Sequence, residues 1–189
     1  MKVGVLALQG DFREHVEILE KLGARTTLVR LPEDLTEIDR LIIPGGESTV
    51  IGKLLATSGL FRPIQQRIRG GMPTWGTCAG GIIMAKHIAD PEKGQRHLKV
   101  MDITARRNAF GRQLDSFEMK IQMSNVSKKP IEVLFIRAPI FEFPGKDVEV
   151  LARLPDGRIV AARQNNMLIT SFHPELTGAT ALHEYFLSL

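Results

Sequence analysis

The segment KVGVLAL, residues 2–8, is an unbroken apolar run. It is far too short to cross a bilayer, and it lacks the spaced polar positions of a surface helix or a half-buried strand. It reads as a strand covered on both faces, the signature of a parallel sheet. Beyond it the chain alternates in type. DFREHVEILEKLG (11–23) puts Phe12, Val16, Leu19 and Leu22 on one helical face, with Asp11 as N-cap and Gly23 as stop. ARTTLVR (24–30) is a second strand, and DRLIIPGGES (39–48) is a third that ends in a Pro-Gly-Gly loop. STVIGKLLATSG opens a helix capped by Ser48 or Thr49, and MPTWGTC leads into AGGIIMAKHI as strand, sharp turn and helix. Strands separated by helices need crossover connections. The prediction is an α/β fold, a mostly parallel central sheet flanked by helices in three flavodoxin-like layers.

The second half changes character. MDITARR, SFEMKIQM, IEVLFIR, VEVLARL, RIVAARQ and MLITSF are strand-like, turns such as PDG and QNN join them, and a helix over 178–188 closes the chain. These are additional β segments attached in a meander-like set. The 189 residues show no repeat, no low-complexity segment and no long linker, so residues 1–189 read as one domain.

MKVGVLALQGD superficially resembles a signal peptide, but the run is short and breaks at Gln9-Gly10-Asp11, so a first strand is the better reading. A single cysteine excludes an internal disulfide and fits a reducing compartment, by default the cytoplasm. The net charge of +4 is mild, and much of the excess lies between Arg96 and Lys129. With only Phe110 and Phe117 interleaved there, a solvated or partner-facing surface is expected, without nucleic acid or membrane as a partner.

That one cysteine stands in Gly76-Thr77-Cys78-Ala79-Gly80, the G-x-nucleophile-x-G elbow in which a strand turns sharply into a helix. Small residues two positions either side let the strained turn form, and the helix N-terminus favours a thiolate. The N–H of Ala79 is the natural oxyanion donor. A lone cysteine beside apolar residues can equally be a small buried side chain, so the local pattern admits both readings.

A base decides between them. His15, beside Glu14 on the first helix, reads as a surface position; His87 and His97 flank a polar loop, and His183 sits on the last helix. His173 differs, because it ends the strand MLITSF and is followed by Pro174 and Glu175. In an extended segment residues i and i+2 share a side, so Glu175 can orient His173 while His173 faces a thiol. In IIPGGES (42–48), a Gly-Gly turn between strand and helix can gather peptide N–H groups into a concave site. The P-loop lysine is missing, which argues against nucleotide.

Together PGGES, GTCAGGI and FHPE resemble the class I glutamine amidotransferases. ALQGDFREH, RNAFGRQLDSFE (107–118), FIRAPIF and SFHPELT extend the resemblance, over essentially the whole chain, to the family of glutaminase subunits of pyridoxal 5′-phosphate synthases. The resemblance implies that Cys78 attacks the side-chain amide of L-glutamine, with His173 as base then acid and Glu175 orienting it. It implies a γ-glutamyl thioester and an oxyanion site at Gly46 and Ala79. Gly46, Glu47, Ser48, Arg107, Ile136 and Arg137 would line the glutamine site. It further implies no cofactor and no metal, and a synthase partner with twelve copies of each subunit. That partner would make pyridoxal 5′-phosphate from ribose 5-phosphate and glyceraldehyde 3-phosphate, and residues 9–15 would take part in docking. A glutaminase for another acceptor is an alternative, as is a cysteine-elbow peptidase, stress protein or binding module of similar fold.

Overall fold

The computed structural model describes residues 1–110 and 116–189; within RNAFGRQLDSFE, residues 111–115 lie outside the described residues. The alternating first half forms β1 (Lys2–Leu6), α1 (Phe12–Lys21), β2 (Arg25–Val29), β3 (Arg40–Ile43), α2 (Ser48–Thr57), α3 (Phe61–Arg69), β4 (Thr74–Thr77) and α4 (Ala79–Met84). The second half contributes β5 (Ala85–Ile88), β6 (Met101–Arg106), β7 (Ser116–Ile121), β8 (Ile131–Ile136), β9 (Ile140–Glu142), β10 (Glu149–Arg153), β11 (Ile159–Gln164), β12 (Met167–Thr170) and α5 (Ala181–Ser188).

The main sheet runs β2-β1-β3-β4-β12-β11-β9-β6-β5, with β10 paired on β11. Its first five strands are all parallel, in the flavodoxin-like order, while β11 and β9 pair antiparallel to their neighbours. The fold is therefore a mostly parallel central sheet with flanking helices and extra antiparallel strands from the second half.

Period-two alternation splits each strand between two cores. Leu41 and Ile43 of β3 face the side covered by Ile51 and Leu55 of α2 and Ile64 and Ile68 of α3. Ile42 faces the opposite side with Trp75, Leu19 of α1, and Leu182 and Phe186 of α5. All three β3 residues are fully buried, each contributing about 1.5–3 kcal/mol of transfer free energy.

Several sequence readings are corrected. The second half is not a simple meander: β7 and β8 leave the main sheet as a separate antiparallel hairpin. Residues 85–88, read as the tail of a helix, form β5 alongside β6, because α4 stops after six residues. The helix α3 was not anticipated, although Ile64 and Ile68 carry its buried stripe. The cap of α2 is Glu47, whose carboxylate accepts from the Thr49 N–H, and neither Ser48 nor Thr49 fills that position.

Candidate active site

Four parallel strands deliver their carboxyl ends to one edge of the sheet, where α/β folds place their sites. From this edge β1 leads to Gln9–Asp11, β3 to Gly45–Ser48, β4 to Cys78 and β12 to His173. Register holds these ends level: Gly76 pairs with Ile43 on one side, and Thr77 with Thr170 on the other. The Cys78 N–H then donates to the Thr170 carbonyl at 2.7 Å.

At Cys78 the chain adopts φ 47°, ψ −104°, a left-handed-side conformation that a non-glycine residue holds only when its surroundings enforce it. The elbow glycines supply that enforcement by close approach. A Cβ on Gly76 would stand 2.5 Å from the Gly80 carbonyl carbon, and a Cβ on Gly80 would collide with the Ile43 carbonyl oxygen. Ala79 is the first residue of α4, so its N–H has no acceptor within the helix. Asn108 (φ 46°) and Arg137 (φ 41°) are strained in the same sense and line the same cavity.

The His173 Nδ1 donates to Glu175 Oε1 at 2.7 Å, which leaves Nε2 as the nitrogen free for proton transfer. The pairing arises differently from the sequence expectation. His173 caps a tight 3-10 turn over Pro174–Leu176, so the turn curls Glu175 back to the ring and strand alternation plays no part. The ring is also held by its backbone, since the His173 N–H donates to Leu134 of β8 at 2.8 Å. Burial works against a charged His173, but hydrogen bonds to Cys78 and Glu175 and the charge on both outweigh it, and its pKa is pushed up to about 11. Burial raises the Glu175 carboxyl, with the His173 charge opposing.

The cavity at this edge has a volume of about 330 Å³. Cys78, Ala79, His173, Gly46, Glu47, Ser48, Arg107, Ile136 and Arg137 all line it, while Glu175 sits behind His173. The Cys78 sulfur lies 3.9 Å from the Ile136 carbonyl oxygen. The Gly45 carbonyl accepts from the Asp11 N–H at 3.2 Å, which turns the Gly46 N–H, on the opposite side of the trans peptide, away from α1. Gln9 Oε1 accepts from the Glu47 N–H at 2.8 Å. Arg107 reaches Glu92 at 2.7 Å and Glu47 at 3.4 Å, and Gln95 donates to the Ser48 hydroxyl at 3.1 Å. The 90–97 connection thus braces two of the site residues, Arg107 through Glu92 and Ser48 through Gln95. Gln9, Asp11, Asn108 and Leu176 also line the cavity without having been anticipated there.

His15 is not a surface residue. It is fully buried, with Nδ1 3.0 Å from His183 Nε2, and Nε2 3.2 Å from Thr77 Oγ1 and 3.6 Å from Glu175 Oε1. Its spacing from Ile18 and Leu19, three and four positions on, is the signal that could have placed it on the buried face. Trp75 packs edge-on against His15 and His183.

Burial lowers the pKa of His183 to about 4, opposed by the Ala179 backbone carbonyl, which favours a protonated ring. Burial and the facing His183 and His173 hold His15 well below the ordinary 6.5. The unfolded chain takes up protons that both folded residues refuse, so their contribution to stability is full above about pH 6.5 and falls as the pH drops below it. For His183 alone the loss by pH 4 is about 3 kcal/mol. The raised carboxyls of Asp11 and Glu175 oppose it, because there the folded state binds the proton first. His173 acts only on the alkaline side, its contribution being lost as the pH rises from 6.5 towards 11. Urea unfolding at pH 7 and pH 5 should show the wild type losing stability on acidification and His183→Gln losing clearly less.

A model of the SNO glutamine amidotransferase family matches residues 5–189. The chain is 58% identical, over the full length of both, to the pyridoxal 5′-phosphate synthase subunit PdxT of Roseiflexus sp. strain RS-1. It is 60% identical, again over the full length of both, to the PdxT of Herpetosiphon aurantiacus. A solved structure described as the crystal structure of glutamine amidotransferase superposes with a TM-score of 0.92 at 48% identity, covering 98% of this chain and 97% of that one. Elbow, Gly-Gly loop and His-Pro-Glu turn sit within a match that spans nearly every residue, and the chain belongs to the SNO glutamine amidotransferase family.

Proposed function

We propose that the chain, acting as one domain, is the glutaminase subunit of a pyridoxal 5′-phosphate synthase, hydrolysing L-glutamine and passing ammonia to a synthase subunit. The observation that carries the reading is the convergence of Cys78, His173 and Glu175 on one sheet edge beside a small cavity, in a chain so similar to PdxT relatives.

Glutamine enters with its side-chain amide over Cys78. The sulfur attacks the amide carbon, and negative charge develops on the amide oxygen, where the N–H groups of Gly46 and Ala79 stabilise it. Protonated His173 delivers its Nε2 proton to the leaving nitrogen, so ammonia departs and a γ-glutamyl thioester remains on Cys78. Neutral His173 next takes a proton from water as that water attacks the thioester. Collapse expels the sulfur and releases glutamate, with the proton back on the ring. Glu175 keeps Nδ1 protonated throughout and so presents Nε2 to the reaction. The guanidinium groups of Arg107 and Arg137 suit the free α-carboxylate of an amino acid, and Glu47 suits its ammonium. No helix among the described residues is long and apolar enough to cross a membrane, in keeping with a cytoplasmic setting. The family resemblance supports a complex with twelve copies of each subunit.

The test is glutamate release from glutamine, measured with and without the synthase subunit. The expected result is release that the partner strongly stimulates, together with glutamine-dependent formation of pyridoxal 5′-phosphate from ribose 5-phosphate and glyceraldehyde 3-phosphate. Release without any response to the partner would leave a glutaminase and remove the pathway.

A further inference from the structure

Asp11 occupies the N-cap position of α1 but makes no side-chain capping bond. A capping aspartate ordinarily accepts from an N–H two or three residues on, worth about 1 kcal/mol to the helix. Here the carboxylate turns to the active site instead. Its Oδ2 lies 3.5 Å from His173 Nδ1, the same nitrogen that donates to Glu175 at 2.7 Å. One donor atom each from Asp11, His173 and Glu175 falls within 4.8 Å of the others; Nδ1 is already engaged with Glu175, so the cluster is an acid–base relay.

Two features build this arrangement. The Asp11 N–H is tied to the Gly45 carbonyl at 3.2 Å, which fixes the start of α1 against the Gly-Gly loop. Gly45 also leaves the necessary room, since a Cβ there would collide with the His173 ring and stand 3.2 Å from Asp11 Oδ2. The two carboxylates are not equivalent. Glu175 is wholly buried, whereas the Asp11 side chain is 38% exposed and lines the cavity.

We propose that Asp11 is a second carboxylate partner of His173, a positioning residue that holds the ring beside Glu175 and favours its protonated form. The effect on turnover rests on the glutaminase reading; the effect on the ring does not. The groups facing the ring are Cys78 from the elbow, Glu175 from the 3-10 turn, and Asp11 and His15 from α1, with β8 offering a backbone carbonyl. Glu14 faces Asp11 from the same helix, and Glu47, Arg107 and Arg137 line the cavity. Burial raises the Asp11 carboxyl while the His173 charge lowers it, so the two charges support each other. Asp11 therefore resists loss of the ring proton, and the short Glu175 bond sets its direction.

The variant Asp11→Asn keeps the side-chain size and removes the charge. The variant has no capping bond to lose, so a change in its thermal stability reports the Asp11–His173 pairing and not the start of the helix. In the complex with the synthase partner, the alkaline limb of the kcat/KM profile should move down by about one pH unit. In the free chain without substrate, the His173 ring followed by NMR should titrate lower in the same sense. In a Glu175→Gln background Asp11 is the only carboxylate left for Nδ1 among the described residues, and Asp11→Asn should cost about tenfold more there than in the wild type. A ring titration unchanged by Asp11→Asn overturns the proposal, and so does an equal cost in both backgrounds. A shifted ring in a chain that releases no glutamate even as wild type upholds it and overturns the glutaminase reading instead.

Discussion

Replacing Cys78 by alanine is expected to abolish glutamate release, by about 10⁴-fold or more, as removal of a nucleophile does when the groups around it act as a unit. The fold should barely notice. Cys78 is buried, but losing one sulfur atom at the cavity wall costs far less than emptying a core site. The variant should retain synthase binding and bind glutamine without turning it over, which separates loss of chemistry from loss of structure. Glutamate release that survives in Cys78→Ala, measured on protein free of contaminating glutaminase, would remove Cys78 from the mechanism. Residual activity would then have to come from a water activated by His173.

Gly80→Ala is expected to damage both the fold and the site with a single methyl group. The new Cβ would collide with the backbone carbonyl of Ile43, which ends strand β3, is fully buried and pairs with Gly76 of β4. A flexible side chain could swing away; a backbone carbonyl anchored by a buried, paired residue cannot. Overpacking of this kind costs about 3 kcal/mol, or roughly 6–12 °C in Tm for a chain of this size. Activity should fall further than stability predicts, because the same contact sets the angle at which α4 leaves Cys78. Differential scanning calorimetry alongside the glutaminase assay checks both parts. A Tm within about 2 °C of the wild type would mean that the elbow relaxes more freely than its contacts indicate.

The parallel core was legible because its strands are apolar without interruption and its helices begin and end on recognisable residues. KVGVLAL became β1, Gly23 ended α1 in the left-handed region with φ 76°, and TWGTCAGGI became strand, elbow and helix. The antiparallel half was harder to read. β9 is three residues long and β5 comes directly after α4, so neither leaves a periodic pattern to detect. Their pairing comes from distant partners, Phe141 with Ile159 and Ala85 with Met101.

Site residues divide along the same line. Cys78, His173 and Glu175 stood out because each chemistry-bearing side chain lies close to a glycine or a proline that shapes its backbone. Asp11 and His15 did not, since the bland explanations, an N-cap and a polar position on an amphipathic helix, fit their local sequence. The sequence alone determines which residues can bend the chain and which can carry charge, because backbone strain and side-chain chemistry are local. Tertiary structure alone decides which charges meet. The parallel register of β3, β4 and β12 lines up three loop ends, and Gly45 opens the space through which Asp11 faces His173. Proximity between opposite ends of the chain depends on packing, and packing leaves no mark on the spacing of either partner.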